Sequence, residues 1–178
     1  MTTEGSAEAI GGEVERLFGE MRGPLLRHVR GMGLTAAEGE DVTQDAFLAL
    51  FRHLREGKPR DNLRAWLFRV ARNLALKRLE AGRGEAELDI EGTERADGTA
   101  NPEEQAARRE RDRAVRQVIG TLPAVDRQCL QLRAEGMRYR EIAGILDISL
   151  GSVATSLGRS LARIARATEA ERAGRDGA

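Results

Sequence analysis

The fold is decided by the stretch Tyr139-Arg-Glu-Ile-Ala-Gly-Ile-Leu-Asp-Ile-Ser149. At their spacing Ile142, Ala143 and Leu146 share one face, so we expect the stretch to begin with a short amphipathic helix. Its last three residues predict a turn, and the final serine is a residue type that caps a following helix. Two helices joined by a three-residue turn, with a small alanine at their crossing, predict a helix-turn-helix.

The sequence on both sides of this motif predicts a four-helix domain. Upstream, Asn101-Pro-Glu-Glu104 combines a cap, a first-turn proline and acidic residues, so a helix is expected from there to Gly120. A second helix is expected from about Pro123 to a point before Gly136, with these candidate core positions: Leu122, Val125, Cys129, Leu130 and Leu132. The helix after the turn has a predicted buried stripe formed by Val153, Leu157, Leu161 and Ile164.

Amphipathic helices also precede residue 81. Residues 7–31 show apolar positions spaced at three and four, with a break or restart allowed at Pro24. Thr35-Ala-Ala-Glu38 has the form of a capping box and predicts the start of the next helix. One side of that helix is apolar, and its other side presents Asp41, Gln44 and Asp45.

The third helix of this part has the clearest periodicity in the chain. A polar loop over residues 56–62 precedes it, and Asp61 or Asn62 is expected to cap it. Its predicted buried stripe consists of Leu63, Trp66, Leu67, Val70, Ala71 and Leu74. For an arbitrary basic helix, a solvated basic face is the more common explanation. The polar loop and Phe68, which lies off the stripe, favour single-strand binding through phosphates and stacked bases.

Charged residues are unevenly distributed along the chain and mark two basic segments with an acidic segment between them, although the formal net charge is zero. Residues 24–80 hold 11 basic and seven acidic side chains, and residues 108–166 hold 12 basic and six acidic ones. Between them, residues 81–107 hold eight acidic and two basic side chains and few large apolar residues, which is typical of a solvated linker. The sequence therefore predicts an all-α protein with a helical bundle and a helix-turn-helix domain, joined by a flexible acidic linker.

Residue types exclude several classes of function. Cys129 is the single cysteine, so an intramolecular disulfide is impossible, and His28 and His53 have no metal-ligand or triad spacing. We expect no enzyme activity, no metal and no cofactor. The longest run without a charged residue has 11 residues, whereas a membrane span needs about 20 apolar ones. With no signal-peptide pattern at residues 1–12, we expect no membrane insertion and a cytoplasmic location.

Four stretches, in this order, resemble extracytoplasmic-function sigma factors of bacterial RNA polymerase. They are Glu40-Asp-Val-Thr-Gln-Asp-Ala-Phe-Leu-Ala-Leu-Phe51, Arg64-Ala-Trp-Leu-Phe-Arg-Val-Ala-Arg-Asn-Leu-Ala75, Leu122-Pro-Ala-Val-Asp-Arg127 and the stretch 139–149 quoted above. The resemblance implies a region 2 domain over residues 1–80, a linker over 81–102, a region 4 domain over 103–167 and a polar tail over 168–178. We expect that tail to be frayed.

The same resemblance implies roles for individual residues. Asp41, Gln44 and Asp45 would bind the coiled coil of the largest polymerase subunit. The minus-ten promoter element would be opened and captured by Lys58, Arg60, Asn62, Trp66, Phe68, Arg69, Arg72, Asn73 and Lys77. The minus-thirty-five element would be contacted by Arg138, Arg140, Ser152, Thr155, Ser156, Arg159 and Arg163. The second domain would also dock on the flap of the second polymerase subunit, and an anti-sigma protein is a further expected partner.

The recognition helix departs from the family pattern. Where the family usually carries Lys, Ser, Arg and His, this chain has Ala154-Thr-Ser-Leu-Gly158, so two basic residues and one aromatic are missing. The leading prediction is a sigma factor that binds core polymerase and melts promoter DNA. The alternative is a sigma-like co-regulator or decoy that binds polymerase or an anti-sigma protein and recognises promoters weakly.

Overall fold

The computed structural model describes residues 3–82 and 102–176, and within these ranges the chain forms helices and no strand. The all-α prediction is confirmed. The helices are α1 Thr3–Arg30, α2 Ala36–Arg55, α3 Leu63–Ala81, α4 Pro102–Gly120, α5 Ala124–Ala134, α6 Tyr139–Leu146 and α7 Leu150–Asp176. Most of the predicted acidic linker lies outside the described residues.

Helices α1, α2 and α3 pack on one another and form the N-terminal bundle. The predicted capping box begins α2: the backbone N–H of Glu38 donates to Thr35 Oγ1 (3.3 Å), and that of Thr35 donates to the Glu38 carboxylate (3.0 Å). Asn62 caps α3 by accepting from the backbone N–H of Ala65 (3.3 Å). Asn62 has φ 53°, a left-handed conformation that asparagine tolerates better than most residues. Helix α1 continues without a break through Pro24.

Helices α4 to α7 form the C-terminal bundle, in which α7 packs against α4, α5 and α6. Asp147 turns the chain between α6 and α7 with φ 56°, and Ser149 caps α7 by accepting from the backbone N–H of Ser152 (3.0 Å). The predicted helix-turn-helix is therefore present. Helix α7 extends to Asp176, so the segment expected to be a frayed tail is helical over most of its length.

Two apolar residues that the sequence placed in this core are exposed. Leu161 is 55% exposed, and Val125 is also exposed. Ser156 and Ser160 are buried on α7 instead. Helices α4 and α5 both pack against α7, so the buried face of α7 includes these serines. The spacing of apolar residues in α7 does not predict this, because it contains no information on the neighbouring helices.

The two bundles contact each other through α3 and α6, and the end of α1 lies beside α5. Buried apolar residues from both bundles, such as Phe68 and Ile142, belong to one continuous cluster. Among the described residues, Arg27, Asn62 and Arg64 of the N-terminal bundle donate hydrogen bonds across this boundary. We call this boundary the seam.

Candidate nucleic-acid interface

The acidic face of α2 is exposed as expected. Asp41, Gln44 and Asp45 all lie on the solvent side of the helix. Asp41 accepts a hydrogen bond from the guanidinium of Arg78 on α3 (3.2 Å), which is a surface ion pair of small energetic value. The exposed Leu48 follows one turn after Gln44 and adds an apolar contact area to the same surface.

The loop over residues 56–62 is held in place by His53. The Nε2 atom of His53 lies 2.8 Å from the carbonyl oxygen of Pro59, and its ring stands 4.6 Å from the ring of Trp66. Trp66 is half-buried by this contact, so one part of its ring stays accessible. The loop thus has a defined shape, which reduces the entropy lost when it binds a ligand.

Two basic residues of this loop already have acidic neighbours. Arg60 donates to Glu13 of α1, with 2.5 Å between Nη1 and Oε2. Lys58 pairs with Glu56 at 2.5 Å within the loop. Both cations are more than half exposed, so a phosphate can exchange for either carboxylate at little cost.

Helix α3 presents a polar stripe formed by Arg69, Asn73 and Lys77. These side chains are exposed and four residues apart, so they follow one line along the helix. The line starts near the loop and combines two positive charges with an amide. It has the composition of a groove that follows a phosphate backbone.

Phe68 does not lie on this exposed surface, and its expected role in stacking on bases is wrong. Its side chain is 0% exposed and its ring meets that of His28 edge-on at 5.4 Å. Arg72, one turn later, is half-buried, and its Nε is a buried atom without a hydrogen-bond partner among the described residues. Both residues face inward because α3 is covered on two sides, by the N-terminal bundle and by α6.

In the C-terminal bundle, the structure places Arg138, Arg140, Ser152 and Thr155 on the surface. Arg163 is half-buried. The hydroxyl groups of Ser152 and Ser149 lie 2.8 Å apart at the start of α7. Ser152 and Thr155 therefore lie on the first turns of α7, where such motifs contact base edges, whereas Arg138 and Arg140 lie at the start of α6.

Asp126 is buried and accepts hydrogen bonds from the buried Ser156 and from Arg159, whose side chain stays 55% exposed. Ser156 is 3% exposed and its hydroxyl donates to Asp126 Oδ1 (2.5 Å), while Arg159 donates to both carboxylate oxygens (2.9 and 2.8 Å). Hydrogen bonds from Arg159 and Ser156 hold the pKa of Asp126 below its usual value, against the opposing effect of burial. This network ties α5 to α7, a role that the sequence reasoning did not assign.

Glu135 and Glu141, which accept hydrogen bonds at the seam, had no role predicted from the sequence. The importance of Asp126 could have been predicted from the sequence, because Asp126 lies in the motif 122–127 and in the first turn of α5. No sequence signal exists for the other two, since their partners lie 71 or more positions away.

Within residues 3–82 and 102–176, no group of His, Cys, Asp and Glu side chains is arranged to hold a metal ion. Cys129 is buried, and burial raises the pKa of its thiol. None of the helices in the described part of the chain is long and apolar enough to span a membrane.

Comparison with known families matches the two bundles separately. The model of sigma-70 region 2 matches residues 17–84, and that of sigma-70 region 4 matches residues 112–164. RNA polymerase sigma factor CnrH of Cupriavidus metallidurans is 30% identical, with 93% of each chain covered. The ECF RNA polymerase sigma-E factor of Haemophilus influenzae is also 30% identical, with 88% of this chain and 86% of that protein covered.

Solved structures give the same result for the fold. CnrH, solved in complex with the cytosolic domain of CnrY, superposes with a TM-score of 0.59 and 27% identity over 93% of this chain and 95% of that one. RpoE from Bartonella quintana, a sigma factor solved with the anti-sigma factor NepR, superposes with a TM-score of 0.63 over 88% of this chain and 97% of that one. Its 16% identity supports the fold alone.

Proposed function

This chain belongs to the sigma-70 family of RNA polymerase sigma factors, in the extracytoplasmic-function class, and we propose how its two bundles divide the work. The N-terminal bundle binds core polymerase through α2 and the non-template strand of the minus-ten element through α3 and its preceding loop. The C-terminal bundle binds the minus-thirty-five element as a duplex. The protein acts by binding, without catalysis, in the cytoplasm where core polymerase works.

The observation that carries this proposal is the separation of unlike charges on one small bundle. The exposed acidic side chains of α2 suit a basic protein surface, whereas Arg69, Asn73 and Lys77 on α3 suit a phosphate backbone. A bundle that binds polymerase on one face and a single DNA strand on the other recognises the promoter and keeps its strands apart at the same place. Trp66 offers a half-buried ring edge beside the strand path for an unstacked base.

Promoter opening tests the proposal directly. Core polymerase with this chain is placed on a promoter located by run-off transcription, and unpaired thymines are detected with permanganate. We expect Arg69→Ala and Lys77→Ala to reduce thymine reactivity more than they reduce initial duplex binding. Arg52→Ala, an exposed arginine on α2, is the matched control. An equal loss of opening and duplex binding in the α3 variants would contradict strand capture.

A sigma-like co-regulator or decoy remains a second candidate, favoured by the contacts of Asp126. Ser156 and Arg159 are two of the seven residues expected to contact the minus-thirty-five element, and both donate to this carboxylate. Ser152, Thr155 and Arg159 are exposed, but in this second candidate Arg159 would have to exchange Asp126 for DNA. The decoy proposal predicts normal binding to core polymerase with no preference between promoter and random duplex.

An anti-sigma protein is the third proposed partner. The similar RpoE was solved with the anti-sigma factor NepR, and the similar CnrH was solved with the cytosolic domain of CnrY. A protein that covers the exposed acidic face of α2 would compete with core polymerase.

A further inference from the structure

Arg159 is the first charged residue of α7. The nine residues that precede it in the helix are uncharged, and its neighbours Gly158 and Ala162 are small. Ser152, Thr155 and Arg159 are exposed and lie on one side of the helix, at spacings of three and four residues. Recognition by the first turns of α7 therefore depends on a single cation.

One edge of the Arg159 guanidinium is bound by Asp126. The Nε atom lies 2.9 Å from Oδ2 and the Nη2 atom lies 2.8 Å from Oδ1, so the carboxylate is bound side-on by two parallel hydrogen bonds. A guanidinium has five N–H donors in one plane, and this contact uses two of them. Because the side chain stays 55% exposed while Asp126 is buried, solvent reaches the edge that is turned away from Asp126.

Asp126 is itself fixed in position. It lies in the first turn of α5, is 2% exposed, and accepts a further hydrogen bond from the hydroxyl of Ser156. Hydrogen bonds from Arg159 and Ser156 hold its pKa below the usual value, so the carboxylate is charged at neutral pH. An arginine held by such a buried carboxylate has already lost much of its rotamer freedom, and less entropy is lost when it binds a further ligand.

The outer edge of Arg159 has the donor pattern that guanine accepts. Guanine presents O6 and N7 in the major groove, and the two terminal nitrogens of an arginine can donate to both at once. Adenine has an amino donor in place of O6, and cytosine presents an amino donor without these acceptors. Donation through this edge therefore favours guanine over the other bases.

We propose that Asp126 is a positioning residue for base recognition: it binds Arg159 side-on and directs the outer edge of that guanidinium to a guanine of the minus-thirty-five element. Asp126 does not touch DNA, and Arg159 reads the base without giving up the carboxylate. The recognition of guanine rests on the proposed function, whereas the fixed position of Arg159 does not.

Competition between Asp126 and DNA would give the opposite result. If both bind the same edge of Arg159, removing the charge of Asp126 frees the arginine and strengthens its contact with DNA. If they bind different edges, the same change leaves Arg159 mobile and weakens its preference for guanine. Asp126→Asn separates the two cases, because asparagine has the shape of aspartate but presents an amino group to one of the two arginine donors.

Binding to modified promoters tests the proposal with the full chain on core polymerase. Each guanine of the minus-thirty-five element located by run-off transcription is replaced in turn by 7-deazaguanine, which pairs normally and lacks the N7 acceptor. We expect one replacement to weaken wild-type binding at least about threefold, since N7 is one of two acceptors in a contact that discriminates by about 5- to 150-fold. Asp126→Asn and Arg159→Lys should each bind the modified and unmodified promoters equally.

Two variants of α4 are matched controls. Asp112→Asn and Arg113→Ala each remove one charge from an exposed side chain, and neither residue belongs to the proposed contacts with DNA. Both should keep the wild-type penalty for 7-deazaguanine. This penalty is a ratio of two affinities of the same variant, so a change in stability or in overall charge does not alter it.

Nuclear magnetic resonance examines the pair in the free chain, without DNA. The Nε–H group of Arg159 should give a resolved, motionally restricted signal at neutral pH, assigned by its absence in Arg159→Lys. A signal averaged by free rotation would overturn the fixed position of Arg159. This measurement needs only the wild type and a surface variant, so it decides the point even if circular dichroism shows that Asp126→Asn fails to fold.

The remaining outcomes separate this inference from the proposed function. A penalty that persists or grows in Asp126→Asn would overturn positioning by Asp126. Specific transcripts without any guanine whose effect depends on Arg159 would overturn guanine recognition and leave the proposed function standing. If the wild type prefers no duplex sequence, the proposed binding of the C-terminal bundle to DNA fails together with guanine recognition, and the resonance signal still decides whether Arg159 is fixed.

Discussion

At the scale of single residues, Asp126 determines how the C-terminal bundle is joined. Its carboxylate is 2% exposed and receives hydrogen bonds from Ser156 and from two nitrogens of Arg159. A buried carboxylate is tolerated only when such donors replace its hydration. The consequence for recognition is that part of the side-chain set on α7 serves the fold rather than DNA.

We expect Asp126→Ala to lower the free energy of unfolding by about 1–3 kcal/mol, because it leaves Ser156 without its acceptor and removes a charged hydrogen bond. Urea denaturation at pH 7 measures the change. The pKa of Asp126 is lowered in the folded state, so its contribution is complete above the unfolded pKa and is lost as pH falls through the folded one. The difference between wild type and variant should therefore shrink below about pH 4. A constant difference down to pH 2 would contradict this role.

His28 gives a second prediction at the scale of single residues, and folding again favours the deprotonated form. Burial, and then the positive charge of Arg72, lowers its pKa to about 4 from 6.5, while the Gln131 side chain opposes the shift. Since the unfolded chain binds the proton first, stability falls as pH drops from about 6.5 toward 4. Between pH 7 and pH 5 the wild type should lose on the order of 2 kcal/mol through this residue.

The variant His28→Leu removes this titration and serves as the comparison. Denaturation at pH 7, 6 and 5 should show a steeper decline for the wild type than for the variant. Parallel declines would mean that His28 is accessible to protons in the folded chain. The remaining slope in the variant reports the other titrating groups.

At the scale of elements, apolar spacing predicted the helices well and their exposed sides less well. The capping residues Thr35, Asn62 and Ser149 are all confirmed, because caps depend on residues within one turn. The position of Phe68 could not be predicted, since its burial comes from packing on α3 that its own sequence does not encode. Leu161 and Ser156 exchange their expected environments for the same reason.

The acidic face of α2 carries the prediction that belongs to this scale. Replacing Asp41 and Gln44 together with alanine should reduce affinity for core polymerase at least about tenfold, which corresponds to about 1.4 kcal/mol. Both side chains are exposed, so the circular-dichroism signal should stay unchanged. Glu20→Ala, an exposed acidic residue on α1, is the control. Lost helicity in the double variant would instead assign these residues to the fold.

At the scale of the whole molecule, the two basic blocks of the sequence, residues 24–80 and 108–166, lie in different bundles. Their contact was not predicted, because Arg27 and Glu135 are 108 positions apart and neither belongs to a recognisable motif. At the seam, Glu135 and Glu141 of the C-terminal bundle accept hydrogen bonds from Arg27 and Asn62 of the N-terminal bundle.

Run-off transcription shows whether this chain directs initiation at specific promoters. The purified chain is added to core RNA polymerase from its own source with sheared genomic DNA, and the 5′ ends of the transcripts are mapped. The account predicts discrete start sites that share upstream elements at two positions, absent with core polymerase alone. Binding to core polymerase without any specific transcript would contradict it and favour the co-regulator or decoy.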